Sequence, residues 1–139
     1  GVCGFTDPDN RRTYPWGREN KELLSFYKKM IAIHKKYKIL RTGSLKFLWN
    51  DYQGLCYGRF SHTEQIIVAI NNREEGREIL MVIWGAGISR LEESVLTVLI
   101  QSTREGVTEK EEKITAKAGS VCLYMPPKSA TILYHKDIL

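Results

Sequence analysis

From Leu45 to Tyr134 the chain is a succession of about eight short apolar runs, each closed by a turn signal, with no helical pattern between them. The runs are Leu45–Trp49, Leu55–Phe60, Gln65–Asn71, Glu78–Trp84, Val95–Ser102, Lys113–Lys117, Ser120–Met125 and Ala130–Tyr134. Between them stand Asp51-Tyr52-Gln53-Gly54, Ser61 to Glu64, Asn72 to Gly76, Gly85-Ala86-Gly87, Arg104-Glu105-Gly106, Ala118-Gly119 and Pro126-Pro127-Lys128. Strands this short and this evenly punctuated cannot cover a parallel sheet, which needs crossover helices. They predict a mainly β fold, an antiparallel sandwich with Greek-key connections. The Glu78–Trp84 run is the most apolar and is expected to be central. Trp49, Trp84 and Tyr124 are expected in the core, since large aromatics dominate sandwich interiors.

One helix precedes the strands. Asn20 is a good N-cap, Glu22 suits the positive end of the helix, and apolar residues step by three and four through Leu23, Phe26 or Tyr27, Met30, Ile33 or His34, and Tyr37. The pattern predicts a helix over Asn20–Lys38, with Gly43 as its stop. A second line through Leu24 and Ile31 widens the apolar stripe, so this face must lie on something large. Lys28, Lys29, Lys35, Lys36 and Lys38 form its solvated side.

Composition narrows the function classes. Hydrophobic residues make up 42% and charged residues 27% of 139, a normal soluble balance. No apolar run approaches the roughly 20 residues of a membrane span, and Gly1 to Phe5 does not read as a signal peptide. Net charge is +5, mildly basic, but the lysines gather on the helix as a solvated face, so no nucleic-acid partner is expected. Cys3, Cys56 and Cys122 are odd in number and form no C-x-x-C pair, which signals neither a disulfide framework nor a zinc site. Cys56 and Cys122 sit in strand-like runs and are expected as small core residues in a reducing, cytoplasmic setting. His34, His62 and His135 lie far apart. No metal and no cofactor are expected.

Residues 1–19 form a long polar loop with turn chemistry at Asp7-Pro8-Asp9-Asn10. Loops of this length inside compact domains are usually functional. The stretch Gly4 to Trp16 reads G-x-x-D-P-x-x-R-x-x-x-P-W. It resembles the segment after the last barrel strand of the alpha-amylase family (glycoside hydrolase family 13), and most of all its neopullulanase, cyclomaltodextrinase and maltogenic amylase branch. Leu23 to His34 resembles that family's eighth barrel helix. Val121 to Ala130 is similar to the V-x-L-x-x-P-P-x-S-A run near the end of its all-β C-terminal domain.

The resemblance implies two domains: residues 1–40 as the last loop and helix of a (β/α)8 barrel, and 41–139 as the C-terminal β-sandwich. It implies a parent enzyme that hydrolyses alpha-1,4 bonds of maltodextrin, cyclodextrin or pullulan with retention. The family's catalytic Asp, Glu and second Asp lie on earlier barrel strands, so no catalytic residue is expected in this chain. Asp7 and Arg11 would grip the alpha-glucan oligosaccharide on the non-reducing side of the cleaved bond. A carboxylate accepts from two hydroxyls and a guanidinium donates a planar fork. The alternative is structural: Asp7 caps the turn and Arg11 pairs with it. Tyr14 and Trp16 are expected to pack under the loop rather than to flank sugar rings. A second function class, a carbohydrate-binding sandwich, needs a row of exposed aromatics from Tyr57, Trp84 and Tyr124. Away from a barrel, the helix Asn20–Lys38 is expected to drive self-association through its apolar face.

Overall fold

The structure is a computed structural model, and it describes residues 4–109 and 111–137. Cys3 lies outside the described residues. The chain divides into two compact units, Gly1–Lys36 and Tyr37–Leu139.

The first unit is a loop followed by helix α1, Lys21–Lys36. Asn20 caps it as expected: its side-chain Oδ1 accepts from the Leu23 N–H at 2.9 Å. No residue of α1 is buried. Leu23, Tyr27 and Ile31, which follow one another at every fourth position, are 39%, 58% and 50% exposed.

In the second unit a short helix α2, Ile39–Thr42, leads into the strands. The helix expected over Asn20–Lys38 is α1, and Gly43, expected as its stop, closes α2 instead. The Tyr37 ring packs on Tyr134, centroids 4.7 Å apart, and Ile39 is 3% exposed. Gly43 caps α2, its N–H donating to the Ile39 carbonyl at 2.9 Å.

Among the described residues nine strands follow: β1 Ser44–Asp51, β2 Gly54–Phe60, β3 Glu64–Asn71, β4 Arg77–Val82, β5 Ser94–Thr103, β6 Gly106–Thr108, β7 Lys113–Ala116, β8 Ser120–Met125 and β9 Ser129–Lys136. Seven form one antiparallel sheet in the order β1-β2-β3-β9-β5-β6, with β7 also on β5. The other two, β4 and β8, pair with each other alone. This is the expected antiparallel sandwich, preceded by a helix.

Its core lies between the sheets. Cys56, Ile67, Leu96, Val98 and Leu133 from the large sheet meet Ile79, Met81, Val121, Leu123 and Met125 from the small one. Each such side chain contributes about 1.5–3 kcal/mol by leaving water. Trp84–Ala86 form a 3₁₀ turn after β4, and Ala86 is fully buried. That packing needs Gly58: a Cβ there would lie 2.6 Å from the Ala86 methyl.

Three sequence expectations are corrected. The Glu78–Trp84 run is not central. β4 has one neighbour, so alternate side chains face out, and Leu80 is 66% exposed. Trp84 and Tyr124 are not core residues: they are 46% and 58% exposed. Trp84 stands beyond the end of β4 with Lys46 and Arg90 over its ring. Tyr124 alternates outward between the buried Leu123 and Met125. Cys122 is exposed for the same reason, and only Cys56 is the buried cysteine foreseen, its thiol pushed up to about 12 by burial. Trp49 is half-buried and packs on the core edge, with the Arg77 guanidinium 4.9 Å from its ring centre.

Two polar clusters tie the unit together. Asn71, 1% exposed, donates through Nδ2 to the carbonyls of Glu75, Met125 and Pro126 at 3.1, 3.3 and 2.9 Å. Asp51 accepts from Arg77 Nη1 at 2.5 Å and lies 3.4 Å from Arg73 Nη2. This links the β1–β2 turn to β4. No helix is long and apolar enough to cross a membrane, and among the described residues no group of His, Cys, Asp or Glu could hold a metal ion.

Candidate functional site

The loop before α1 is closed on itself. The Asn10 N–H donates to the Thr6 carbonyl at 3.0 Å, and the Arg11 N–H to the Pro8 carbonyl at 2.9 Å, around a cis Asp7–Pro8 bond. Gly4 lies against the far side of the turn, where a Cβ would come within 2.5 Å of the Asp9 carbonyl oxygen and the Asn10 Cα. The turn therefore demands glycine at position 4.

The turn brings Asp7 and Arg11 together. Arg11 and Asp7 form an ion pair, Nε lying 2.6 Å from Oδ1, with the side chains 75% and 55% exposed. The arginine pairs with the aspartate, and both side chains stay open to solvent.

A second clamp was not anticipated. Arg12 Nε donates to both the carbonyl and the carboxylate of Asp9 at 3.2 Å, and Nη2 reaches Asp9 Oδ1 at 2.5 Å. The D-x-x-R spacing was visible in the sequence, but an adjacent pair of arginines does not say which one faces which aspartate. Each carboxylate of the loop is committed to its own guanidinium.

Tyr14 and Trp16 do not pack under the loop. Trp16 is 83% exposed and Tyr14 is 45% exposed. Their rings meet edge to face at 4.7 Å. The Trp16 N–H donates to the Tyr14 carbonyl and the Arg18 N–H to Pro15, so successive tight turns throw both rings outward. Next to them is a cleft of about 430 Å³ lined by Tyr14, Arg18, Glu19, Leu23 and Tyr27. Glu19 Oε2 is buried beside it without a partner. The loop and cleft together present hydroxyl-binding groups and bare aromatic faces.

The aromatic row required of a carbohydrate-binding sandwich is not assembled. Tyr57 is on the large sheet, packed against Phe47, Trp84 is in the 3₁₀ turn and Tyr124 is on the small sheet.

No family model matches the chain. It is 30% identical to a cyclomaltodextrinase of Geobacillus thermopakistaniensis over 91% of its own length and 20% of that protein's. It is 27% identical to an amylopullulanase of Thermoanaerobacterium saccharolyticum, covering 99% of this chain and 11% of that one. The chain thus spans a fifth or less of these relatives, and it aligns with the C-terminal region of large amylases. Among solved structures, the alpha-amylase of Geobacillus thermoleovorans complexed with acarbose superimposes with a TM-score of 0.76 at 18% identity, covering 98% of this chain and 27% of that one.

Proposed function

Because the chain is homologous to the C-terminal region of alpha-amylase-family glycoside hydrolases, we propose that it forms the non-catalytic end of an enzyme cleaving alpha-1,4-glucosidic bonds. The substrates would be maltodextrin, cyclodextrin or pullulan. On this reading residues 1–40 complete a (β/α)8 barrel and 41–139 form the sandwich that covers part of it.

One observation carries the reading. Helix α1 buries none of its side chains, yet it displays Leu23, Tyr27 and Ile31 in line. A helix with this much bare apolar surface is built to be covered, and a barrel wall is the cover that the homology supplies.

Asp7 and Arg11 then serve as the substrate-gripping pair of the last barrel loop. Donor and acceptor lie side by side, held by a turn that closes without help from other segments. Barrel active sites sit on the face made by such loops. The nucleophile and the general acid come from the rest of the barrel. Two free cysteines, Cys56 and Cys122, support a cytoplasmic location. The isolated chain associates with itself through the Leu23–Tyr27–Ile31 stripe.

The test is hydrolysis of maltoheptaose by this chain beside an enzyme that includes the barrel. Turnover is expected only in the latter, and Asp7→Ala there should lower kcat/KM by about 10²-fold, the order of one lost charge-assisted contact of about 3 kcal/mol. Turnover by this chain alone would overturn the reading. In sedimentation, the chain should form dimers or larger species, and Tyr27→Lys should return it to a monomer.

A further inference from the structure

The turn between β7 and β8 begins as an ordinary hairpin and then comes apart. Ala118 and Gly119 both have positive φ, 49° and 71°, the two-residue geometry that matches strand twist. Lys117 and Ser120 exchange both main-chain bonds, at 2.8 and 2.9 Å. The next rungs would set Thr115 opposite Cys122 and Lys113 opposite Tyr124. They do not form: β7 pairs with β5 in the large sheet, and β8 pairs with β4 in the small one.

The phase of the ladder says what the opening exposes. Main-chain groups point to one side at every second residue of a strand. The Glu112 carbonyl accepts from Val98 on β5, so 113 and 115 point the other way, as Lys117 does. Likewise 122 and 124 share the direction of Ser120. The N–H and C=O groups of four residues therefore face a gap with no backbone partner among the described residues. Three of the four, Lys113, Cys122 and Tyr124, line a cleft of about 500 Å³, within the range of small-molecule sites.

Its lining has a definite chemistry. Val98, Ile114 and Leu123 give an apolar floor. The Gln101 amide donates to the Thr131 hydroxyl at 3.4 Å and keeps its carbonyl oxygen uncommitted. Glu112 and Lys113 stand at the mouth with no ion pair between them or to other described residues, and their charges cancel. Such a lining is rich in donors and acceptors and neutral in sum, which suits an uncharged polyhydroxyl ligand. It does not suit an added peptide strand, because charged residues such as Glu111, Glu112 and Lys113 along an edge are what keeps foreign strands off.

We propose that the cleft between the splayed arms of β7 and β8 is a second carbohydrate site, separate in sequence and in unit from the Asp7–Arg11 loop. It takes a short stretch of alpha-glucan; the choice of glucan, though not of a neutral oligosaccharide, rests on the function proposed above.

Titrating maltoheptaose into the ¹⁵N-labelled chain tests it. Shift changes are expected at the amides of Thr115, Cys122 and Tyr124, saturating at roughly millimolar concentration, as suits a shallow site with few contacts. Gln101→Ala and Glu112→Ala should each weaken binding about 5- to 10-fold, one hydrogen bond's worth. Glu112 is exposed, so that variant keeps the fold, which its unchanged melting curve would show. Asp7→Ala should leave these shifts intact. Absence of shifts at the cleft, shifts that survive both substitutions, or shifts produced instead by an extended peptide would overturn the proposal. If the barrel-containing enzyme hydrolyses maltoheptaose while the cleft stays silent, only the second site falls. If the cleft binds glucan and that enzyme has no glucanase activity, the site stands and the function proposed above falls.

Discussion

The two units of this chain solve the problem of apolar surface in opposite ways. The sandwich turns buried side chains from two sheets onto each other and leaves the outer faces to water or to partners. The loop and α1 keep comparable apolar residues but bury none of the helix. The difference teaches that stability and contact-making are separated along the sequence. The sandwich is the part that holds itself together, and the helix leaves its apolar stripe exposed.

The contrast can be broken first in the core. Leu133, with no exposed surface, should cost about 2–5 kcal/mol as Leu133→Ala, measured by urea unfolding. Ile31→Ala on α1 should change the same midpoint by less than about 0.5 kcal/mol beyond its propensity effect. Equal losses would show that α1 is part of the sandwich's cooperative unit.

A smaller effect is expected at the buried amide of Asn71. Asn71→Ala removes the donor shared by the carbonyls of Glu75, Met125 and Pro126, the last of which keeps the Ser129 hydroxyl, and should cost about 1–3 kcal/mol. Hydrogen exchange should show the loss at the β3–β4 and β8–β9 turns together. Next comes the helix cap. Asn20→Ala removes the bond to the Leu23 N–H and should weaken α1 by about 1 kcal/mol. Faster amide exchange should then be confined to its first turn, with the sandwich unmoved.

The smallest effect is a titration. Hydrogen bonding from Arg77 holds the Asp51 carboxyl down, from the ordinary 3.8 to about 2. A folded-state value below the unfolded one means that the ion pair's contribution is fully present above about pH 4. It is lost as pH falls through 3.8 toward 2. Asp51→Asn should flatten the acid branch of the stability curve in that window and leave the neutral branch parallel. An unchanged acid branch would mean that the cluster does not link the two sheets energetically.

Much of the sandwich could be read from the sequence because alternation is a local signal. Leu96 and Val98 point inward and Val95 outward with no need to know their neighbours. The Asn20 cap was legible for the same reason. What failed was non-local. Ile79, Leu80, Met81, Val82 and Ile83 are apolar on both faces and read as a central strand, but the partition into sheets of seven and two strands leaves β4 with open outer positions. Trp84 and Tyr124 went the same way. The contact of Tyr37 with Tyr134 joins residues almost a hundred apart. In the loop, the proximity of Asp7 and Arg11 followed from spacing within a turn. The outward swing of Tyr14 and Trp16, and the parting of β7 from β8, depend on tertiary placement that no short window carries.

The position of β9 has a consequence for how the domain is made. This strand, Ser129–Lys136, lies in the middle of the large sheet, between β3 and β5. Until it is in place, the sheet is two separate ladders: β1 to β3 on one side, and β5 with β6 and β7 on the other. On a ribosome the chain emerges in order, so the first ladder must wait with a bare edge at β3 while everything up to Lys136 is synthesised. Closure is then a single late event that joins segments distant in sequence, and such pairings form slowly. The interval before it is when β3, with its run of Ile66, Ile67 and Val68, is most open to pairing with the wrong strand.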